Sequence, residues 1–501
     1  MKLYQKIIML LAMVLTLVGP MTTAFAADDA STSSQQTTTT SNNDELKKIK
    51  QKGTLVVGTS ADYPPYEFTT KENGQTKIVG FEMEMAKQIA KDLGVKLVIK
   101  NMQFDSLLVA LETGKVDVII SGMSPTAERK KSVAFSKIYY TGAPYLVINK
   151  ADMAKYDAIN DFKDKKVGAQ NGSLFYDLIK KAMPDSQRKG LGKLSDLILS
   201  LQSHKIDGIL MDEATAKAYI ESNSSLSGFK TGIKLNASDT GTAIAYPKGA
   251  TALGEAINKS IDKIQAKDLI NKEFIPEASK YMESNTKQST MLDYWKYFAK
   301  GVQYTLIITI IAAFFGVILG ILLALMRLSD NKLFHMLSVI YIEFVRGTPL
   351  MVQVMFVYFG IGSIIQSLPA ITAGIIAVAL NSGAYVAEVF RSGIASIAAG
   401  QTEAARSLGL SKKQTFQYVV IPQAIKNIWP ALGNEFISLI KESSIVSVIG
   451  VTELMFQTQQ VQSATFKGVM PLFVTMCIYF VLTFSLSKVL NYFEGKMKHD
   501  N

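Results

Sequence analysis

A chain of 501 residues is too long for one ordinary compact domain, and with 48% hydrophobic and 19% charged side chains it holds material for two or three. Its net charge of +11 comes from lysines dispersed along the sequence, which argues against a nucleic-acid partner and reads as surface and membrane topology. The single cysteine, Cys477, excludes an intrachain disulfide, and the scattered His204, His335 and His499 argue against a metal site.

In chain order, Lys2 and Lys6 precede an apolar run from Ile7 to Val18, then Gly19, Pro20 and the small-x-small triplet Ala24-Phe25-Ala26. This pattern predicts a secretory signal peptide over residues 1–26. Residues 27–43, rich in Ser, Thr and Gln, carry too few apolar side chains to bury a core and are expected to form a disordered linker. From residue 44 the texture changes. The β-rich runs TLVVGT (54–59), VKLVIK (95–100) and VDVIIS (116–121) alternate with helical patterns at 81–93 and 104–112. A second set follows, KKVGAQNGS (165–173), a helix to about Met183, and IDGILMD (206–212). The rhythm predicts βαβ units and parallel sheets. Residues 44–285 are therefore expected to fold as two α/β lobes, one over about 50–146 and 240–282 and the other over about 147–239, with a ligand cleft between them.

A tether at 286–300 leads to apolar segments at 302–326, about 349–368, about 371–390, about 428–451 and about 469–487. Each is long enough to approach a bilayer's thickness, so an all-α transmembrane domain of about five spans is expected over 301–495. Positive charge orients it: Arg327, Lys332, Arg346, Arg391, Arg406, Lys412, Lys413, Lys426, Lys488, Lys496 and Lys498 fall on one side, and Lys467 alone on the other. Because positively charged loops stay cytoplasmic, the loop at about 392–426 is expected inside and the soluble domain on the extracytoplasmic face of a bacterial plasma membrane.

That inner loop is unusually regular. Glu403-Ala404-Ala405 precedes Gly409, and Val419-Val420-Ile421-Pro422 follows; small alanines allow close helix approach and a glycine supplies the turn out of a helix. The spacing resembles the coupling-helix motif of bacterial ABC importer permeases. The flanking YIEFVRGTPLMVQ (341–353), NSGAYVAEVFRSGI (381–394) and GNEFISLIKESSIVSVI (433–449) resemble the polar amino acid branch of that family, over about residues 295–495. The resemblance implies that Glu403, Ala404, Ala405 and Gly409 dock on a cytoplasmic ABC ATPase. No GxxxxGK[ST] loop occurs in this sequence, so ATP and Mg are expected on that separate subunit; this chain is expected to bind no cofactor and to be no enzyme. A homodimer through the permease domain is expected as well. Glu435, Lys441 and Glu442, in or near the fourth apolar segment, are expected to serve structure or gating.

In the soluble domain, FDSLLVALETGKVDVIISGMSPTAERKKSVAFSKIYY (104–140) resembles the ligand-binding core of extracytoplasmic receptors for polar amino acids, over about residues 50–280. This implies a bilobed fold of the type II periplasmic-binding-protein kind and a polar or charged L-amino acid such as glutamine or arginine as ligand. A zwitterion needs a cation for its carboxylate, for which a planar guanidinium is suited, and an anion for its ammonium. By this resemblance Arg129 would hold the carboxylate with Ser124 and the backbone around Ser173. Asp212 would take the amino group, Gly122 would offer its carbonyl, and Tyr63 and Phe104 would sandwich the side chain, with Gln170 close by. Ser60 stands where such receptors commonly carry an aspartate, and Gln170 and Met211 also depart from glutamine binders, which leaves Asp62 or Glu82 to meet a basic side chain. The reading is the membrane component of an ATP-driven amino acid importer with its receptor fused to its permease. Its rivals are a ligand-gated channel or amino acid sensor on the same receptor domain, though a TVGYG-like filter is absent, and a dehydratase-like enzyme on the same fold.

Overall fold

The computed structural model describes residues 44–72, 75–235, 241–286, 290–365, 368–465 and 467–499. The expected signal peptide and linker lie outside them.

The first lobe is built on a five-stranded sheet in the order Lys96–Asn101, Thr54–Thr59, Val118–Ile119, Ala245–Pro247, Val133–Phe135. Leu55 and Val57 of strand Thr54–Thr59 are fully buried on one face of the sheet, in the core shared with helix Phe81–Leu93. Helix Phe81–Leu93 lays Phe81, Met85, Ala86 and Ile89 into this core at helical spacing, and Gly94 ends it in the left-handed conformation, its N–H reaching back to the Ala90 and Lys91 carbonyls. The run expected as a strand over 116–121 pairs only at Val118–Ile119, because Gly122, at φ +53°, turns the chain out of the sheet and toward the cleft.

The second lobe carries a sheet in the order Gln187–Leu191, Lys166–Gln170, Gly208–Asp212, Pro144–Asn149, Leu226–Lys230. This corrects the expected boundary near 146. Strand Pro144–Asn149 pairs antiparallel with Gly208–Asp212, from Asp212 opposite Pro144 to Ile209 opposite Val147, so the chain has already crossed between lobes before Pro144. The return crossing ends at Ala245, and Tyr140 and Thr242 bridge the two connecting segments.

In the permease, three helices among the described residues are long and apolar enough to cross a membrane: Met291–Arg327, Ala370–Ala395 and Val469–Gly495. The segment expected at about 349–368 belongs to a bent pair, Lys332–Arg346 and Leu350–Ile361, which meet at 105° around Gly347-Thr348-Pro349. The fourth expected span does not qualify by composition. It coincides with helix Ile421–Glu442, which carries Lys426, Glu435, Lys441 and Glu442 and an internal Pro430, followed by a 3-10 turn at Ser443–Ile449. The tether expected to reach residue 300 is already helical from Met291, because Tyr294, Tyr297 and Phe298 pack on Leu454, Val461 and Ala464. Glycines set the closest helix crossing: a Cβ at Gly320 would fall 2.4 Å from Val386, and one at Gly316 would fall 2.7 Å from Ser382.

One element has no counterpart in the expectations. Helix Leu454–Thr465, LMFQTQQVQSAT, is buried along its whole length although it is rich in glutamine. It lies beneath the binding domain, where Thr69 donates to the Gln460 carbonyl at 3.2 Å. Around it Met102, Leu107 and Leu111 of the first lobe share an apolar cluster with Val354, Tyr358, Val448 and Val451 of the permease. The Gly450 backbone lies so close to the first lobe that a Cβ there would sit 2.6 Å from the Asn101 carbonyl.

Candidate functional site

The two lobes meet over a cavity of about 30 Å³. Tyr63, Phe104, Gly122, Ser124 and Arg129 of the first lobe and Gln170 and Ser173 of the second line it; Asp212 does not. Ser60 and Met211, the positions of departure, line it too.

Arg129 opens the short helix Arg129–Ser132 and is buried. Its Nη1 donates to the Ser124 carbonyl at 2.7 Å and its Nη2 crosses the cleft to the Gly172 carbonyl at 2.6 Å. The guanidinium lies 5.5 Å from the centre of the Phe104 ring. Burial lowers it to about 10, which leaves it cationic at neutral pH. Gly172, at φ +71°, provides the turn that aims this carbonyl, and the next residue, Ser173, caps helix Leu174–Ala182 by accepting the Tyr176 N–H at 3.2 Å. Leu174 and Phe175, the first two residues of that helix, also line the cavity. A guanidinium beside a helix N-terminus makes an anion site suited to a carboxylate.

Asp212 sits at the end of strand Gly208–Asp212 and caps the following helix, accepting the Ala214 N–H at 2.9 Å. Its other carboxylate oxygen presses on Gly142, where any Cβ would collide with it. Its backbone N–H donates to the Tyr63 hydroxyl at 3.2 Å, which ties the lobes together. Burial pushes its carboxyl up to about 6. Gln170 donates from Nε2 to the Gly192 carbonyl at 3.2 Å.

The acid on the cavity wall is one the sequence reading did not single out. Neither Asp62 nor Glu82 lines the cavity; Glu67 does. Glu82 accepts the Gly122 N–H at 3.0 Å and the Tyr139 hydroxyl at 2.6 Å. Glu67 accepts the Ser121 hydroxyl at 2.9 Å through Oε1, and its carboxyl shares a hydrogen bond with that of Glu82. Burial, with Glu82 beside it, raises the Glu67 carboxyl well above the usual range. A glutamate inside the otherwise apolar run PPYEF, next to Tyr63, was the available signal.

The loop at about 392–426 forms a helical hairpin. Helix Ala399–Ser407 buries Ala405 and exposes Glu403 and Ala404; Gly409 turns the chain at φ +86° with open space around it. Ser411 caps the next helix from Lys412, accepting the Gln414 N–H at 3.3 Å while Gln414 reciprocates at 2.9 Å. Leu408, at the tip, is 85% exposed. Deeper in the permease, Glu435 lines a mostly apolar cavity of about 190 Å³ with Ser382, Trp429 and Leu490, whereas Lys441 and Glu442 stand in the last turn of their helix.

Residues 55–275 match the bacterial extracellular solute-binding proteins of family 3, and residues 316–499 match the inner membrane component of binding-protein-dependent transport systems. An arginine transport system permease, ArtQ of Bacillus subtilis, is 39% identical over 203 residues, which are 40% of this chain and 93% of that one. A Rickettsia felis protein with the provisional name of glutamine transport system permease GlnP is 38% identical over 202 residues, again 40% of this chain and 93% of that one. The arginine-binding extracellular protein ArtP of Bacillus subtilis is 36% identical over 216 residues, 43% of this chain and 82% of that one. The chain belongs to the family of binding-protein-dependent transport system inner membrane components, and it carries a family 3 extracellular solute-binding domain ahead of its permease on the same polypeptide.

Proposed function

We propose that this chain is the membrane component of an ATP-driven importer for a polar or charged L-amino acid, with a basic side chain favoured. The observation that carries the reading is the cleft cavity in which Arg129 and the N-terminus of helix Leu174–Ala182 face Glu67. The cationic end suits the ligand's carboxylate, and the buried Glu67 carboxyl on the cavity wall gives up its proton to pair with a guanidinium or ammonium at the far end of the ligand. Asp212, adjoining the lining residues Met211 and Tyr63, takes the α-amino group, Tyr63 and Phe104 flank the side chain, and the Gly122 and Ser124 carbonyls, with Gln170, complete the polar lining. The relatives' names, arginine for two and glutamine for the third, support the same class.

Loading favours the closed lobes because the ligand bridges both, so capture and closure are one equilibrium. Fusion then holds the loaded domain at an effective concentration on the order of millimolar beside its permease. Glu403, Ala404, Ala405 and Gly409 form the docking hairpin for a cytoplasmic ABC ATPase, which binds the ATP and Mg that power the spans. The binding domain faces the extracytoplasmic side. Two copies pair through the permease; helix Val469–Gly495, with only 11% of its most apolar stretch buried, offers surface for lipid and for a second copy.

The test is a thermal-shift screen of the full chain in detergent against the twenty amino acids. Arginine or lysine at a hundred times its dissociation constant should add roughly 2.7 kcal/mol to the stability of the binding domain. A flat response to all twenty would overturn the receptor role, and a response to glutamine alone would overturn the basic side chain.

A further inference from the structure

Asp62 lines no part of the cavity, yet it is 3% exposed and its oxygens are engaged. Oδ1 accepts the Ser60 hydroxyl at 3.1 Å; Oδ2 crosses the cleft to accept the Leu194 N–H at 2.9 Å; the backbone carbonyl accepts the Tyr219 hydroxyl, also from the second lobe, at 3.1 Å. Leu194 begins helix Leu194–Gln202, and the residue before it, Lys193, supplies no side-chain cap. The carboxylate of the opposite lobe fills that role, at a helix end whose free N–H groups and dipole favour an anion.

Lys193 itself is 8% exposed, with Asp62 and Asp196 as its nearby anions. Its ammonium lies 5.8 Å from the centre of the Phe456 ring, on the buried permease helix Leu454–Thr465. The same second-lobe helix carries Leu199, which lies so close to Gly468 of the permease that a Cβ there would sit 2.8 Å from its Cδ1. One helix therefore meets the first lobe at its N-terminus and the permease along its side. Opening the cleft withdraws Asp62, which uncaps the helix and strips Lys193 of one counter-charge while it stays against an aromatic ring. The cation–π contact is strongest where the cation is desolvated, which is the closed arrangement.

We propose that Asp62, Lys193 and Phe456 form the contact by which the permease distinguishes a closed binding domain from an open one, with Asp62 and Lys193 as positioning residues that act through helix Leu194–Gln202. This rests on the reading that the domain delivers its ligand to its own permease.

The test uses the full chain with its ATPase in nanodiscs and L-arginine and L-glutamine as probes, reading three quantities. These are ligand affinity, amino-acid-stimulated ATP hydrolysis, and the distance between spin labels at Lys87→Cys and Lys181→Cys in a Cys477→Ser background. Asp62→Ala should weaken binding by roughly 3- to 30-fold, the range one helix cap carries, and shift the label distances toward the open value. Asp62→Asn, which keeps an acceptor oxygen, should recover part of that loss. Phe456→Leu and Lys193→Met should lower stimulated hydrolysis several-fold, and Phe456→Leu should leave affinity and distances as they were. Wild-type affinity and closure in both Asp62 variants, or wild-type stimulation in both Phe456→Leu and Lys193→Met, would overturn the proposal. An unmodified chain whose distances and hydrolysis respond to no amino acid would overturn the transport reading first, and this contact with it.

Discussion

In the proposed function, the buried carboxylate of Asp212 couples ligand capture to pH. Burial raises it to about 6 from its ordinary 3.8. Between those values the folded chain holds a proton that the unfolded chain releases, so this group favours the fold at low pH and that contribution is lost as pH rises through about 6. Pairing with a ligand's ammonium requires the ionised form, so binding expels the proton. Affinity for arginine should therefore be flat above neutrality and fall by about tenfold per unit below about pH 6, as titration calorimetry across that range would show. Asp212→Asn should be weaker throughout and lose the slope; a wild-type profile in that variant would assign the pH dependence to another group. The residues of this site were unequally legible. Arg129, Tyr63 and the backbone around Ser173 are named through the resemblance of the surrounding segments to amino acid receptors. Glu67 is not, because its significance comes from a cavity assembled by residues far apart in sequence, and Asp62, offered with Glu82 as an alternative partner for a basic side chain, joins the lobes.

The elements were legible where one physical pattern dominated. Strand Thr54–Thr59 and helix Phe81–Leu93 lie where apolar runs and helical spacing put them, because each buries its pattern within one lobe. Helix Leu454–Thr465 has no such pattern: its glutamines are buried in tertiary packing between helices of its own domain and the first lobe, a circumstance local sequence does not encode. The break at Gly347-Thr348-Pro349 follows from proline chemistry, yet its 105° bend depends on the tertiary setting. At this scale Gly450 offers a direct probe. Its φ is +82°, and a Cβ there would meet the Asn101 carbonyl of the first lobe at 2.6 Å. Gly450→Ala should cost roughly 1–2 kcal/mol at the left-handed backbone alone and push the lobe off the permease. The expected outcome is unchanged arginine affinity with a several-fold drop in arginine-stimulated ATP hydrolysis, and unchanged stimulation would mean that this docking is not used.

At the scale of the whole molecule, a clamshell closed by hydrogen bonds between its lobes rests on a helical domain whose inner hairpin exposes Leu408. The proposed importer divides capture, delivery and power among three places, two of them on this chain. The most direct measurement is uptake of radiolabelled arginine into proteoliposomes holding the chain and its ATPase, with ATP on the ATPase side. The account predicts ATP-dependent accumulation that falls to background in Arg129→Ala and in Asp212→Ala. Equal accumulation in both variants, or arginine flux that proceeds without ATP, would contradict it.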